Sequence, residues 1–215
     1  MSNAPTIQKH PAHLKALLQQ LDPSPTGRLV FGVDVTVSRQ PTWDMAAKLT
    51  SEMSRTLEVQ LVYYRGEREC VASRWISDSS ALTTAMSGVL CRAGFTQIGR
   101  VLTHARTEDQ RKKIAAVVLV SDACEENPTE LYATARALVG VPVFLFQEGT
   151  DEEVAVVYRT IATITGGAWC RFDAGAAARL ADLLKAVAAF ATGGRKALAD
   201  QRTEAAKQLL IQLRK

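Results

Sequence analysis

Five oxygen-bearing side chains stand where they could share one hard cation: Asp34, Thr36, Ser38, Thr96 and Asp122. Asp34 closes the apolar run LVFGVD, and hydroxyls follow at alternate positions, so Thr36 and Ser38 can turn to one side. Asp122 closes a second apolar run, VVLVSD. Carboxylates are rarely buried without a partner. Two of them drawn together repel, and a cation between them removes that cost. Thr96, in Gly94-Phe95-Thr96, adds a third hydroxyl. No imidazole accompanies the set, and the nearby thiol, Cys124, reads as a small packed residue. Oxygen donors with few carboxylates suit Mg²⁺, which keeps several waters, with Mn²⁺ as a substitute.

These residues converge only if the elements carrying them do. LVFGVDV at 29–35, VQLVYY at 59–64, IAAVVLVSD at 114–122, VPVFLFQE at 141–148 and AWCRF at 168–172 read as strands. ECVASRWI at 69–76 follows the second strand after only R-G-E-R. That connection is too short for a parallel crossover, so it predicts a hairpin and an antiparallel edge strand. Helices are expected at 12–21, from Pro41 to about Leu57, at 77–93, 96–110 and 152–165, after Asn127-Pro128, from about Ala176 to Phe190, and at about 196–214. Strands alternating with helices predict an α/β, doubly wound, Rossmann-like sheet of six mostly parallel strands in the order 3-2-1-4-5-6, with helices on both faces. In that order strands 1 and 4 are neighbours where the winding reverses, so Asp34 and Asp122 face one crevice. The domain division is an N-terminal helical extension at 1–27, the α/β domain at 28–192 and an amphipathic basic helix at 193–215.

Asp34-x-Thr36-x-Ser38, then Thr96, then Asp122 after a buried strand resembles the metal-ion-dependent adhesion site of von Willebrand factor A (VWA) domains. The resemblance covers roughly residues 28–192. The family pattern has Ser where this chain has Thr36, which keeps the hydroxyl. The resemblance implies that Thr36, Ser38 and Thr96 are direct ligands, that Asp34 and Asp122 act mostly through water, and that one coordination position awaits a carboxylate from the bound protein. It also implies a cytoplasmic bacterial type of VWA protein, working as an adaptor beside an ATPase or chaperone system.

The rest of the chain narrows the choice of function. It has 215 residues, 47% of them apolar and 22% charged, enough for one domain with a sizeable core. The N-terminus lacks a signal peptide's apolar stretch and no run has transmembrane length, so the expectation is a cytoplasmic protein with no membrane partner. Cys70, Cys91, Cys124 and Cys170 are scattered, which argues against a disulfide framework or a zinc site. The formal net charge of +4 sits in the last segment, where Arg195, Lys196, Arg202, Lys207, Arg214 and Lys215 outnumber Asp200 and Glu204. That reads as a solvated helix face rather than a nucleic-acid site. Its apolar stripe (Ala205, Ala206, Leu209, Leu210 and Leu213) is expected to dock on the chain's own domain. Asp44, Glu125 and Glu126 read as a solvated acidic edge and a helix-dipole pair beside the crevice rather than as ligands.

No G-x-S-x-G, P-loop or G-x-G-x-x-G is present. Together with the resemblance, this makes the leading expectation a non-enzymatic, Mg²⁺-dependent protein-binding module, whose partner, as the resemblance implies, presents an exposed Glu or Asp. The alternative is a metal-dependent phosphohydrolase of the haloacid-dehalogenase type with Asp34 as nucleophile. That chemistry needs a second Asp two residues later, where this chain has Thr36.

Overall fold

The computed structural model describes residues 27–35, 56–66, 68–92, 94–173 and 176–213. The helices expected at 12–21 and after Pro41, together with Thr36, Ser38 and Asp44, lie outside these residues. Six strands form one sheet: β1 (Gly27–Asp34), β2 (Leu57–Arg65), β3 (Glu69–Ala72), β4 (Ala116–Ser121), β5 (Val143–Glu148) and β6 (Ala168–Phe172). Their order is β3-β2-β1-β4-β5-β6. Among the described strands only β3 runs antiparallel, paired to β2 from Arg65↔Glu69 to Val62↔Ala72. This is the doubly wound sheet, and β1 and β4 are parallel neighbours as expected.

Alternation along β1 shows how the sheet holds two helical layers. Leu29, Phe31 and Val33 point into one core and Val30 into the other, all of them fully buried. The first core is covered by α1 (Ser79–Ser87), α5 (Ala177–Asp200) and α6 (Glu204–Gln212). The second is covered by α2 (Ile98–Arg111), α3 (Pro128–Ala137) and α4 (Glu152–Thr165). Phe31, Phe144 and Phe146 are wholly buried in the first core. Each removes enough apolar surface from water to stabilise the fold by about 1.5–3 kcal/mol.

Several elements are shorter than their patterns suggest, each for a local reason. β3 stops at Ala72 because the Ser73 hydroxyl turns back to the Leu61 amide at 3.0 Å. The chain then rejoins β2 only through an isolated bridge from Ile76 to Val59. Leu57, expected to close a helix, instead begins β2. α1 starts after Asp78, whose side chain accepts from Ala81 N, and ends at Gly88 instead of running to residue 93. The final helix, expected at about 196–214, is itself broken once, at Arg202, after the expected gap at Gly193-Gly194. Gly193 and Gly194 leave helical geometry inside α5, and Arg202 takes a positive φ of 52° before Thr203 caps α6 through Ala206 N. α6 buries Ala205, Ala206 and Leu209, and Leu213 just after it, in the chain's own first core. None of the described helices is long and apolar enough to cross a membrane.

Candidate metal centre

The carboxyl ends of β1 and β4 carry the two acids. Asp34 is the last residue of β1 and is 1% exposed. Asp122 follows the last residue of β4 and is half-buried. Hydrogen bonds from both sides fix the end of β1. The Val35 amide donates to the Tyr64 carbonyl at 3.0 Å, and the Arg92 amide to the Val35 carbonyl at 3.0 Å. The Asp34 carboxylate accepts the Ser121 hydroxyl at 3.0 Å. Ser121 is a residue that the spacing of the five ligands did not single out. Its one legible sign was its place between a buried strand and Asp122.

Two buried phenols lie near the acids, Tyr64 being the register partner of Asp34 on β2. Burial pushes the Tyr64 phenol well up from its ordinary value, and the Asp34 charge adds to the shift. Burial does the same for Tyr158, where Asp34 and Asp122 both contribute, so both carboxylates act on one ring. The Tyr158 hydroxyl donates to the Ala123 carbonyl at 2.7 Å and so anchors the loop between β4 and α3.

That loop also holds Thr96. The Thr96 amide donates to the Glu125 carboxylate at 3.0 Å, and the Glu125 amide donates to the Thr96 hydroxyl oxygen at 3.1 Å. Thr96 itself is 4% exposed. Its other side is set by a close backbone approach, since a Cβ on Gly94 would lie 2.2 Å from Gly66 N. Gly66, in the β2–β3 turn, has φ 61°, a conformation glycine adopts without strain. Glu126 reaches further and accepts from the Ile98 amide at 2.5 Å and from the Gly99 amide at 2.9 Å. Gln97, the residue preceding α2, provides no side-chain cap, so a carboxylate from another loop satisfies the start of this helix.

The structure therefore gathers Asp34, Asp122 and Thr96 at one end of the sheet, with Asp122 and Thr96 tied through a single loop. Glu125 and Glu126 prove to be clasps for the Thr96 segment and α2 rather than a merely solvated rim. Thr36 and Ser38 fall outside the described residues. Among the described residues no group of three or more His, Cys, Asp or Glu side chains forms a metal cluster. A cation here would rest on hydroxyls and water as much as on carboxylates, a donor set that fits Mg²⁺ or Mn²⁺. Burial pushes the Cys124 thiol up to about 11, so it stays protonated at neutral pH.

Neither protein-family models nor the sequences of curated proteins match this chain. Solved structures do. The ArnB paralog VWA2 from Sulfolobus acidocaldarius matches with a TM-score of 0.55 and 12% identity, over 76% of this chain and 45% of that one. The PilB minor pilin from Streptococcus sanguinis, solved as a point mutant, matches with a TM-score of 0.59 and 10% identity, over 75% and 60%. The manganese-loaded TRAP protein of Plasmodium vivax matches with a TM-score of 0.51 and 15% identity, over 69% of each chain. This chain thus spans less than half the length of the Sulfolobus protein. At such identities the likeness speaks to architecture: the sheet order, the antiparallel edge strand and the two helical layers are those of the von Willebrand factor A fold.

Proposed function

We propose that this chain is a non-enzymatic protein-binding module that holds Mg²⁺ at the carboxyl ends of β1 and β4 and captures an acidic side chain of its partner there. One observation carries the reading. Asp34 and Asp122 end neighbouring strands at the switch point, and Thr96 is clasped to the loop that begins at Asp122. Asp34, Asp122, Thr96 and the hydroxyls Thr36 and Ser38 are the residues that would hold the ion, with Mn²⁺ as a substitute. The manganese-loaded TRAP protein, which shares the fold, supports a divalent cation in this role.

When bound, the cation supplies a Lewis-acidic position that a partner's carboxylate can complete. The protein's own part is to present oxygens in fixed places. Ser121 orients Asp34, and Glu125 fixes the Thr96 loop. The partner expected is a folded protein with an exposed Glu or Asp. A small free anion would meet the nearby glutamates without the compensating contacts of a protein surface. We further propose that the module works in the cytoplasm as an adaptor beside an ATPase or chaperone system, a role that the resemblance of its five ligand positions to VWA domains supports.

Calorimetric titration with MgCl₂ and with MnCl₂ tests the cation. Binding is expected for the wild type and is expected to be lost in Asp34→Asn with the melting curve of the metal-free protein retained. Absence of binding by the wild type sinks the proposal. Capture from cell lysate with Mg²⁺ and again with EDTA then tests whether a partner depends on the cation. Turnover of an aryl phosphate with Mg²⁺, abolished in Asp34→Asn, would replace this reading by the phosphohydrolase.

A further inference from the structure

The outer edge of β6 carries a contact that neither the fold nor the metal centre requires. Peptide groups at the edge of a sheet are templates for another strand. Along β6 the Phe172 carbonyl faces inward and accepts from Gly149, so by alternation Trp169 and Arg171 present their peptide groups outward. The outward pair on Trp169 is closed by one side chain from α6. The Trp169 amide donates to Gln212 Oε1 at 2.9 Å, and Gln212 Nε2 donates to the Trp169 carbonyl at 2.8 Å. A carboxamide offers an acceptor and a donor side by side, as a peptide group does, so Gln212 stands where a seventh strand would bond. Gln208 orients it, its carbonyl accepting from Gln212 Nε2 at 3.3 Å. The helix behind it is held by buried Leu209 and Leu213 and by the Arg195 guanidinium on the Leu213 carbonyl.

We propose that Gln212 is a plug on the β6 edge, and that when the last turn of α6 is displaced β6 pairs antiparallel with β6 of a second copy of this chain. The sequence Trp169-Cys170-Arg171 selects that occupant. An antiparallel pair related by a two-fold axis at Cys170 sets the Trp169 of each copy opposite the Arg171 of the other, and both positions present outward peptide groups. Arg171 already lies over the Trp169 ring within one chain, 5.5 Å from its centroid, and Arg159 lies at 4.8 Å. Opposite Trp and Arg residues form a favourable cross-strand pair, and the two Arg171 side chains stand diagonally rather than directly opposite. The same axis places Cys170 opposite Cys170 at a non-hydrogen-bonded position. Cα atoms there are about 4.5 Å apart, within the span of a disulfide. In the plugged chain Cys170 is buried and burial pushes its thiol up to about 11, so it resists oxidation.

The test compares the full-length wild type with Gln212→Ala and with Gln212→Ala/Leu213→Ala, which frees the last turn while Leu209 still anchors α6. Amide exchange at Trp169 is expected to rise about tenfold or more in Gln212→Ala, the scale of a lost hydrogen bond. In the double variant sedimentation is expected to show a concentration-dependent doubling of mass relative to the wild type. Copper-phenanthroline should then cross-link it through Cys170 in a background where Cys70, Cys91 and Cys124 are Ser. Gln212→Glu, which keeps the acceptor and loses the donor, should fall between wild type and Gln212→Ala in exchange. Unchanged Trp169 exchange in Gln212→Ala overturns the plug. An unchanged mass, or a dimer that cross-links equally well after Cys170→Ser, overturns the pairing. EDTA should alter none of these readouts, which separates them from the metal centre.

Discussion

Ser121 and Asp34 are lateral neighbours on β4 and β1, joined by a 3.0 Å hydrogen bond from the Ser121 hydroxyl to the Asp34 carboxylate. The register Val33↔Val120, continued by one residue, puts them side by side, while Asp122 stands one residue beyond. The first acid is thus oriented by the residue that precedes the second, and shifting either strand by one position would break both roles at once.

Ser121→Ala tests that relationship. Removing a hydroxyl that orients a ligand costs about 10–100-fold in metal affinity when the ligand matters, and one lost hydrogen bond costs about 1 kcal/mol of stability. The expected outcome is weaker Mg²⁺ binding by titration with only a small fall in the metal-free melting temperature. Ser121→Thr should restore binding. Equal affinity in Ser121→Ala would remove this residue from the site.

Gly94→Ala tests how the Thr96 loop is placed. The added Cβ would lie 2.2–2.4 Å from Gly66 N, O and Cα, and no flexible side chain is there to yield. Overpacking of this kind costs about 1–3 kcal/mol. Because the displaced backbone carries Thr96, Mg²⁺ affinity should fall together with stability. Thr96→Val, close in shape, removes only the hydroxyl and should lower affinity more than stability. A Gly94→Ala protein as stable as the wild type would contradict the close approach.

The sheet was legible because its strands are continuous apolar runs and because R-G-E-R is too short for a crossover. Asp34 and Asp122 were legible as acids that close such runs. The clasps were not. Glu126 caps a helix that begins 28 residues earlier, and Glu125 pairs with a threonine 29 residues away. Nothing local distinguishes those glutamates from a solvated pair. The early end of α1 and the break at Arg202 were hidden for a related reason, since helical spacing continues through both while the backbone turns away. Leu209 and Leu213 read correctly as an inward stripe because their spacing does not depend on that break.

Acid should lower the stability of this chain through two groups that can be told apart. Burial lowers the His104 pKa from its ordinary 6.5, although the Glu108 charge opposes this. A depressed folded value means the unfolded chain takes up the proton first, so stability is present above about 6.5 and falls as pH drops below it. Glu108 is pulled the other way by burial, yet hydrogen bonds from Trp75 and Arg111 hold its carboxyl below the ordinary 4.5. Its contribution is lost only below that value. Urea unfolding from about pH 8 down to about pH 3 should show a decline beginning near pH 6.5 that His104→Gln abolishes, with the Glu108 decline below 4.5 remaining. A variant with the wild-type profile would assign the upper decline to another group.

Glu126 should show the opposite sign. Burial raises its pKa, only partly offset by the bonds from Gly99 and Ile98, so the folded chain holds that proton more tightly than the unfolded one. Its contribution is full below the ordinary carboxylate value of 4.5 and is lost as pH rises through the raised folded value. Glu126→Gln keeps an acceptor near the start of α2 and carries no charge to bury. Its stability relative to the wild type should therefore improve as pH rises from 4.5, whereas Glu126→Ala, which abandons both amides, should cost about 1 kcal/mol, the scale of a lost helix cap. Amide exchange at Ile98 and Gly99 gives the local readout: fast in Glu126→Ala, intermediate in Glu126→Gln. If both variants exchange there as slowly as the wild type, the start of α2 is held by something other than this carboxylate.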